Sequence, residues 1–195
     1  SFDLRKKFVD FFKKRGHATH PAVSLIPTDP SVLFTTAGMQ QFKKYYTHPE
    51  EAPAENLVTV QPCFRTSDID EVGDDTHLTF FEMLGNFSFG YEPGSPKGGY
   101  FKKEAVQMAY EFLTQELQIE KQRISCSVFS GDEKNPADIE SQKILDEMGL
   151  KYKKCGREDN FWGPTGDEGP CGPTVELYID EIEVWNLVFN EYYKN

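Results

Sequence analysis

Long apolar runs are missing from this 195-residue sequence. No uninterrupted stretch of about 18 apolar residues occurs, so no membrane-spanning helix is expected. Paired cysteines are missing too. The four cysteines, Cys63, Cys126, Cys155 and Cys171, form no CxxC unit. A secreted disulfide framework would need a shorter, cysteine-dense chain, and a zinc site would need paired ligands. The cysteines are expected as buried or loop thiols in a reducing cytoplasm, with no zinc. Positive charge is in deficit: the formal net charge is −11. That argues against a basic module that wraps nucleic acid, but it leaves room for an enzyme that meets RNA through a small local patch. The lysine pairs Lys13-Lys14, Lys43-Lys44, Lys102-Lys103 and Lys153-Lys154 read as solvated faces of helices or loops. No short apolar h-region opens the chain; Ser1 to Arg15 is charged and amphipathic, so no secretory signal is expected. No internal repeat and no low-complexity tract is visible.

Apolar residues make up 38% of the chain and include 16 Phe, enough for a sizeable core in one large domain or one and a half small ones. Leu4, Phe8, Phe11 and Phe12 mark a helix over 2–15 that stops at Gly16. A second helix is expected over 38–46, and a third, the clearest, over 100–117 with Phe101, Ala105, Met108, Ala109, Phe112 and Leu113 as its stripe. Asn135 and Pro136 read as the start of a fourth, which Gly149 ends. Strands are expected over 57–65, with Pro62 at an edge or bulge, and over 78–84, 123–129, 174–180 and 182–189. Asp180 and Glu181 join the last two with no turn-forming residue. Either one long bent strand runs through or a loop is missing from positions 180–181, and the missing loop is the preferred reading. Strand pairs mixed with helices predict an α+β fold with a largely antiparallel sheet.

Three groups of residues suggest chemistry. Arg65 closes one strand and faces a returning strand with Phe80 and Phe81. A guanidinium matches phosphate oxygens as a planar fork, and an aromatic can stack on a base. A surface Arg beside core phenylalanines explains the same pattern. Asp159-Asn160-Phe161-Trp162 precedes a Gly/Pro-rich loop, which brings backbone close to something and holds it there. Trp162 could wall a small pocket or pack under the loop. Glu176 and Glu183 lie on successive strands. Paired strands would let them converge on a divalent ion, as Mg²⁺ is held by one or two carboxylates plus phosphate oxygens; solvent-exposed glutamates would look the same.

The combination is more specific than its parts. The run Thr79-Phe80-Phe81-Glu82-Met83-Leu84-Gly85-Asn86-Phe87-Ser88-Phe89-Gly90 resembles the motif 2 region of alanyl-tRNA synthetases. Residues 27–42, with Asp29-Pro30-Ser31-Val32-Leu33-Phe34-Thr35-Thr36-Ala37-Gly38-Met39, resemble that family's motif 1 region. Asp159-Asn160-Phe161-Trp162, Gly169-Pro170-Cys171-Gly172-Pro173 and Glu183-Val184-Trp185-Asn186-Leu187-Val188-Phe189 are similar to three further signatures in the family's order. The likeness covers nearly the whole chain.

The resemblance implies a class II synthetase-like antiparallel sheet flanked by helices, with residues 1–195 as an adenylate-forming domain incomplete at its C-terminus. It implies activation of alanine by ATP to alanyl-adenylate, then transfer to the 3′ end of tRNA(Ala). By resemblance, Arg65 holds the α-phosphate and carboxylate, Phe81 stacks on adenine, and His77 lies near the ATP phosphates. Trp162, Asn186 and Val188 surround alanine, and Glu176 and Glu183 are the Mg²⁺ candidates. The implied partners are alanine, ATP and the tRNA(Ala) acceptor stem, without a membrane and in the cytoplasm. A pocket shaped by Trp162 and Val188 excludes large side chains, but glycine poorly, since one methyl is worth only about 1–3 kcal/mol. The pattern departs from the family in three places. Motif 3, with its ATP-binding arginine, does not occur before Asn195, and neither does the family aspartate just upstream of it that pairs with alanine's amino group; the 66–73 loop is short and lacks the usual Lys, and 91–99 resembles an insertion. Weak or no activity is therefore expected of the piece alone. The alternative is a catalytically inactive synthetase-like module that binds alanine or an adenylate; a purely structural domain that keeps the fold is a further possibility.

Overall fold

Phe8, Phe11 and Phe12 recur at helical spacing, and in the computed structural model they are the buried side of helix α1 (Phe2–Lys13). The structure describes residues 2–27, 32–67, 69–74, 76–95, 98–164 and 168–194. Asp29-Pro30-Ser31 of the motif 1-like stretch and Thr165-Gly166-Asp167 of the Gly/Pro loop lie outside them. The chain divides into two compact units, Ser1–Gly99 and Tyr100–Asn195. No helix among the described residues is long and apolar enough to cross a membrane.

The first unit is built on a three-stranded sheet. Strand β1 (Ala18–Thr19) runs parallel to the start of β2 (Asn56–Phe64), and β3 (Phe80–Ser88) runs antiparallel to all of it. Pro62 lies beyond the stretch that β1 pairs, so its missing N–H interrupts no ladder there. Side chains alternate along a strand. Val58 is buried on the side where α1 packs, and an Arg5–Glu82 ion pair ties α1 to β3 on that side. Leu57, Thr59, Gln61 and Cys63 are buried on the other side. There the expected helix over 38–46 is present as a 3-10 helix, Gly38–Tyr46. Its Phe42 is fully buried, 4.7 Å from the Phe87 ring, in a cluster with Leu57 and Phe89. Gln61 is buried but satisfied: its Oε1 accepts from Val23 N and Gln41 Nε2, and its Nε2 donates to Val23 O.

The second unit carries a six-stranded sheet. Helix α2 spans Lys102–Glu111, shorter than the 100–117 pattern, because Phe112–Glu116 continues as a π-helical turn. Strand β4 (Ile124–Phe129) follows. Helix α3 (Ile139–Met148) starts later than expected. Its cap is Asp138, whose side chain accepts from Ser141 N, and not Asn135, whose Oδ1 is taken by Arg157. Gly149 ends α3 at φ 62°. The lysine-rich strand β5 (Lys151–Cys155), unmarked by any apolar pattern, pairs parallel to β4. Helix α4 (Arg157–Asn160) and strand β6 (Phe161–Trp162) lead to β7 (Gly169–Ile179), β8 (Ile182–Val188) and β9 (Tyr192–Lys194). β7 starts five residues before the expected strand, inside the Gly/Pro loop. Asp180 and Glu181, at φ 50° and 68°, close β7 and β8 into a hairpin with Ile179 paired to Ile182. The backbone therefore reverses at this junction instead of running on as one strand.

Buried polar groups cross-brace both units. In the second, Lys102 is 3% exposed and donates to Asp138 Oδ1 at 2.7 Å, with Glu191 also in contact. Burial works against its charge, but these carboxylates carry its pKa above the ordinary lysine value. Replacing it (K102M) strands two carboxylates, so a loss of about 3 kcal/mol is expected in chemical denaturation. In the first unit, burial lowers the pKa of His17 to about 4, although Nδ1 lies 3.1 Å from Phe12 O. The unfolded chain takes up a proton near pH 6.5 that the folded chain refuses until about pH 4. Stability from this group is therefore full above pH 6.5 and falls on acidification, by up to about 3 kcal/mol. Urea titrations from pH 7 to 4 should show that slope flattened in H17Q.

Candidate active site

At the end of β2 the chain presents Arg65 on the same face as Phe81, since Cys63 pairs with Phe81 and Arg65 N donates to Thr79 O. The Arg65 Nε donates to Thr36 O at 2.8 Å, and its guanidinium carbon lies 5.3 Å from the Phe81 ring centroid. One edge of the fork is thus anchored to backbone, and its carbon lies over an aromatic ring. Among the described residues no carboxylate pairs with it. The terminal nitrogens are left as paired donors for an anion. Thr36 is held in turn by its neighbour: Thr35 N donates to Leu25 O, Thr35 Oγ1 to Ser24 O, and Phe64 N to Thr35 O.

His77 is engaged differently. Its Nδ1 lies 2.7 Å from Asp74 Oδ2 and its Nε2 lies 3.3 Å from Glu71 Oε2. The side-chain bond to His77, with backbone donors at Thr76 and His77, holds the Asp74 carboxyl well below the usual range. The ligand atoms of Glu71, Asp74 and His77 lie within 4.8 Å of one another. The structure therefore brings Arg65 and Phe81 together, and gives His77 to two carboxylates.

In the second unit the register gathers most of the remaining candidates on one face. Trp162 is opposite Gly172, Val188 opposite Thr174, and Asn186 opposite Glu176, while Gly172, Thr174 and Glu176 alternate along β7. Ser127 of β4 also faces Glu176. A β-bulge shifts the register after Leu177, so Glu183 faces Tyr178. Asn186 and Glu183 thereby share a face despite an odd spacing. The opposite face is apolar: Ile124, Cys126, Val128, Val175, Leu177 and Leu187 are buried, and Trp185 meets Phe112 from α2's side. Burial pushes the Cys126 thiol up to about 12. All four cysteines are unpaired.

Glu176 is 6% exposed. Its Oε2 accepts from Ser127 Oγ at 2.9 Å and from Tyr178 Oη at 2.5 Å, and its Oε1 accepts from Asn186 Nδ2 at 3.3 Å. Burial and this bond push the Tyr178 phenol up. Lys153 Nζ lies 4.9 Å from the Tyr178 ring. Glu183 is exposed. With both oxygens of Glu176 already accepting from neutral donors and Glu183 opposite Tyr178, beyond the bulge, the pair as it stands does not fit a shared Mg²⁺. Sequence reasoning missed Ser127, Tyr178 and Thr174, which acquire meaning only through cross-strand register. Asn160 was recognised only as part of a string. It is fully buried, and its Nδ2 donates to Thr174 O and Oγ1, fixing the approach of β6 to β7.

Trp162 depends on a close backbone approach at Gly172, where an added Cβ would sit 1.8 Å from Phe189 O. G172A must push β7 away from the segment after β8. Thermal unfolding is expected to drop by roughly 5 °C or more, the effect of about 1–2 kcal/mol in a small domain.

The class II tRNA synthetases (A) family model matches residues 3–194. The alanine–tRNA ligase of Rubrobacter xylanophilus is 45% identical over 222 aligned residues, covering 98% of this chain and 24% of that protein. That of Treponema denticola is 43% identical over 217, covering 99% and 35%. That of Petrotoga mobilis is 40% identical over 223, covering 100% and 24%. The chain spans about a quarter to a third of the length of these curated relatives. The Petrotoga alignment is longer than the 195 residues it covers, so that protein carries residues with no counterpart here. A match that runs almost from one end of the sequence to the other, through both units, shows that the chain belongs to the class II tRNA synthetases (A).

Proposed function

We propose that this chain is the adenylate-forming part of an alanine–tRNA ligase. The observation that carries the reading is Arg65: an exposed guanidinium, anchored at Nε, backed by Phe81 and free of any carboxylate among the described residues. Such a fork suits an α-phosphate on which negative charge builds as a carboxylate attacks. The reaction is in-line displacement. An alanine carboxylate oxygen attacks the α-phosphorus of ATP and pyrophosphate leaves; the 3′-terminal hydroxyl of tRNA(Ala) then attacks the alanyl carbonyl of the adenylate, and AMP leaves. No covalent protein nucleophile is needed, so positioning and charge are what the residues supply.

Phe81 is the adenine platform. His77 is the residue assigned to the ATP phosphates, and it reaches them only by leaving Asp74 or Glu71. Trp162, Asn186 and Val188 are the alanine set, supported by their common sheet face. Class II synthetases use ATP with Mg²⁺ in general; the exposed Glu183 is the carboxylate of this face best placed for an ion, and Glu176 is the less suited of the two. The acceptor stem of tRNA(Ala) is the RNA partner, and the cytoplasm is the setting.

The test is alanine-dependent exchange of labelled pyrophosphate into ATP by the full-length protein. R65A is expected to lower the exchange rate by about 100-fold or more, the scale of losing a transition-state anion donor. Exchange that survives R65A unchanged, or that does not depend on alanine, would sink this reading.

A further inference from the structure

Asp138 and Glu176 are the buried carboxylates among the described residues. Asp138 has a cation, Lys102. Glu176 has none: no ion pair reaches it among the described residues, and its partners are the neutral donors Ser127, Tyr178 and Asn186. A buried, unpaired carboxylate is costly, and a fold has little structural reason to keep one.

The bond to Asn186 shows a use for it. An amide side chain has a donor end and an acceptor end, and a carboxylate accepts only. Glu176 Oε1 therefore faces Asn186 Nδ2, and Asn186 Oδ1 must point away from Glu176. Asn186 is exposed, while Glu176 is not. The amide is thus set with its acceptor outward, and Ser127 and Tyr178 on Oε2 keep the carboxylate from turning.

We propose that Glu176 is a positioning residue for amino-acid recognition. It orients Asn186 so that Oδ1 accepts from the substrate's ammonium group, and its negative charge favours a cation there. This rests on the alanine-site reading above. It also gives Glu176 a task different from holding Mg²⁺: the carboxylate acts through Asn186, and the ion answers to other groups.

The test uses the full-length protein and pyrophosphate exchange, with KM for alanine, KM for ATP and the Mg²⁺ concentration for half-maximal rate measured for wild type, N186A, E176Q and E176Q–N186A. N186A is expected to raise KM for alanine. If it does not, the alanine-site reading itself has failed. Given that rise, E176Q is expected to raise KM for alanine about tenfold, the worth of one charge-assisted hydrogen bond. It should leave kcat, KM for ATP and the Mg²⁺ midpoint near wild type, and should add nothing in the N186A background. An E176Q effect that adds fully to N186A, that moves the Mg²⁺ midpoint, or that is absent overturns the proposal. If E176Q does not fold, the reciprocal pair E176Q–N186D restores an amide–carboxylate bond with its ends exchanged and again sets an acceptor outward. Recovery of KM for alanine to within about threefold supports the proposal, and no recovery overturns it.

Discussion

Strand β7 is the constraint on which the second unit depends. Its residues 175–179 pair with β4 on one edge and β8 on the other, and its earlier residues pair with β6 and β9. A central strand has no freedom to slip, because a shift by one residue would send every side chain to the opposite face. That fixes the apolar layer of Val175 and Leu177 under α2 and, in the same stroke, the polar layer of Thr174 and Glu176 above it. The polar face is fixed because the core is.

The first unit obeys a similar logic at smaller scale. Gln61 fastens the 23–25 segment to β2, that segment holds Thr35, and the next residue supplies the carbonyl on which Arg65 rests. A flexible, charged side chain is thereby given a direction by backbone groups that cannot themselves move far. Among the described residues no carboxylate takes its terminal nitrogens, which suits the proposed role: donors already in place cost no reorganisation when charge develops.

Much of this was legible in the sequence, for identifiable reasons. The α1 stripe, the β2 and β3 strands and the Gly149 stop follow from periodicity and from one residue able to take a left-handed backbone. Arg65, Phe81 and Trp162 were raised by their chemistry and given roles by resemblance, Asn186 and Val188 by resemblance alone, and only the register shows that Trp162, Asn186 and Val188 share a face. Where reading failed, competing local chemistry won. Asp138 outcompeted Asn135 as cap because Lys102 and Ser141 both need its carboxylate. β5 was invisible because its lysines are solvated on an edge strand with little apolar surface to show. Glu176 looked like one of two equivalent glutamates. Its difference from Glu183 lies in neighbours 49 residues upstream, at Ser127, and ten downstream, at Asn186.

The hairpin between β7 and β8 reverses through Asp180 and Glu181, two residues with side chains that both occupy the left-handed region. That conformation costs roughly 1–2 kcal/mol per residue without glycine, and Arg123 fastens one end through Asp180. Lengthening a tight connection normally adds closure entropy, but only weakly with length. Here a longer excursion would also release the two strained residues, so splicing extra chain into this tip comes close to energetically neutral. The end of this hairpin is where the scaffold would accept a graft, a tag or a whole inserted module with the register of both strands, and the face they carry, left as it is.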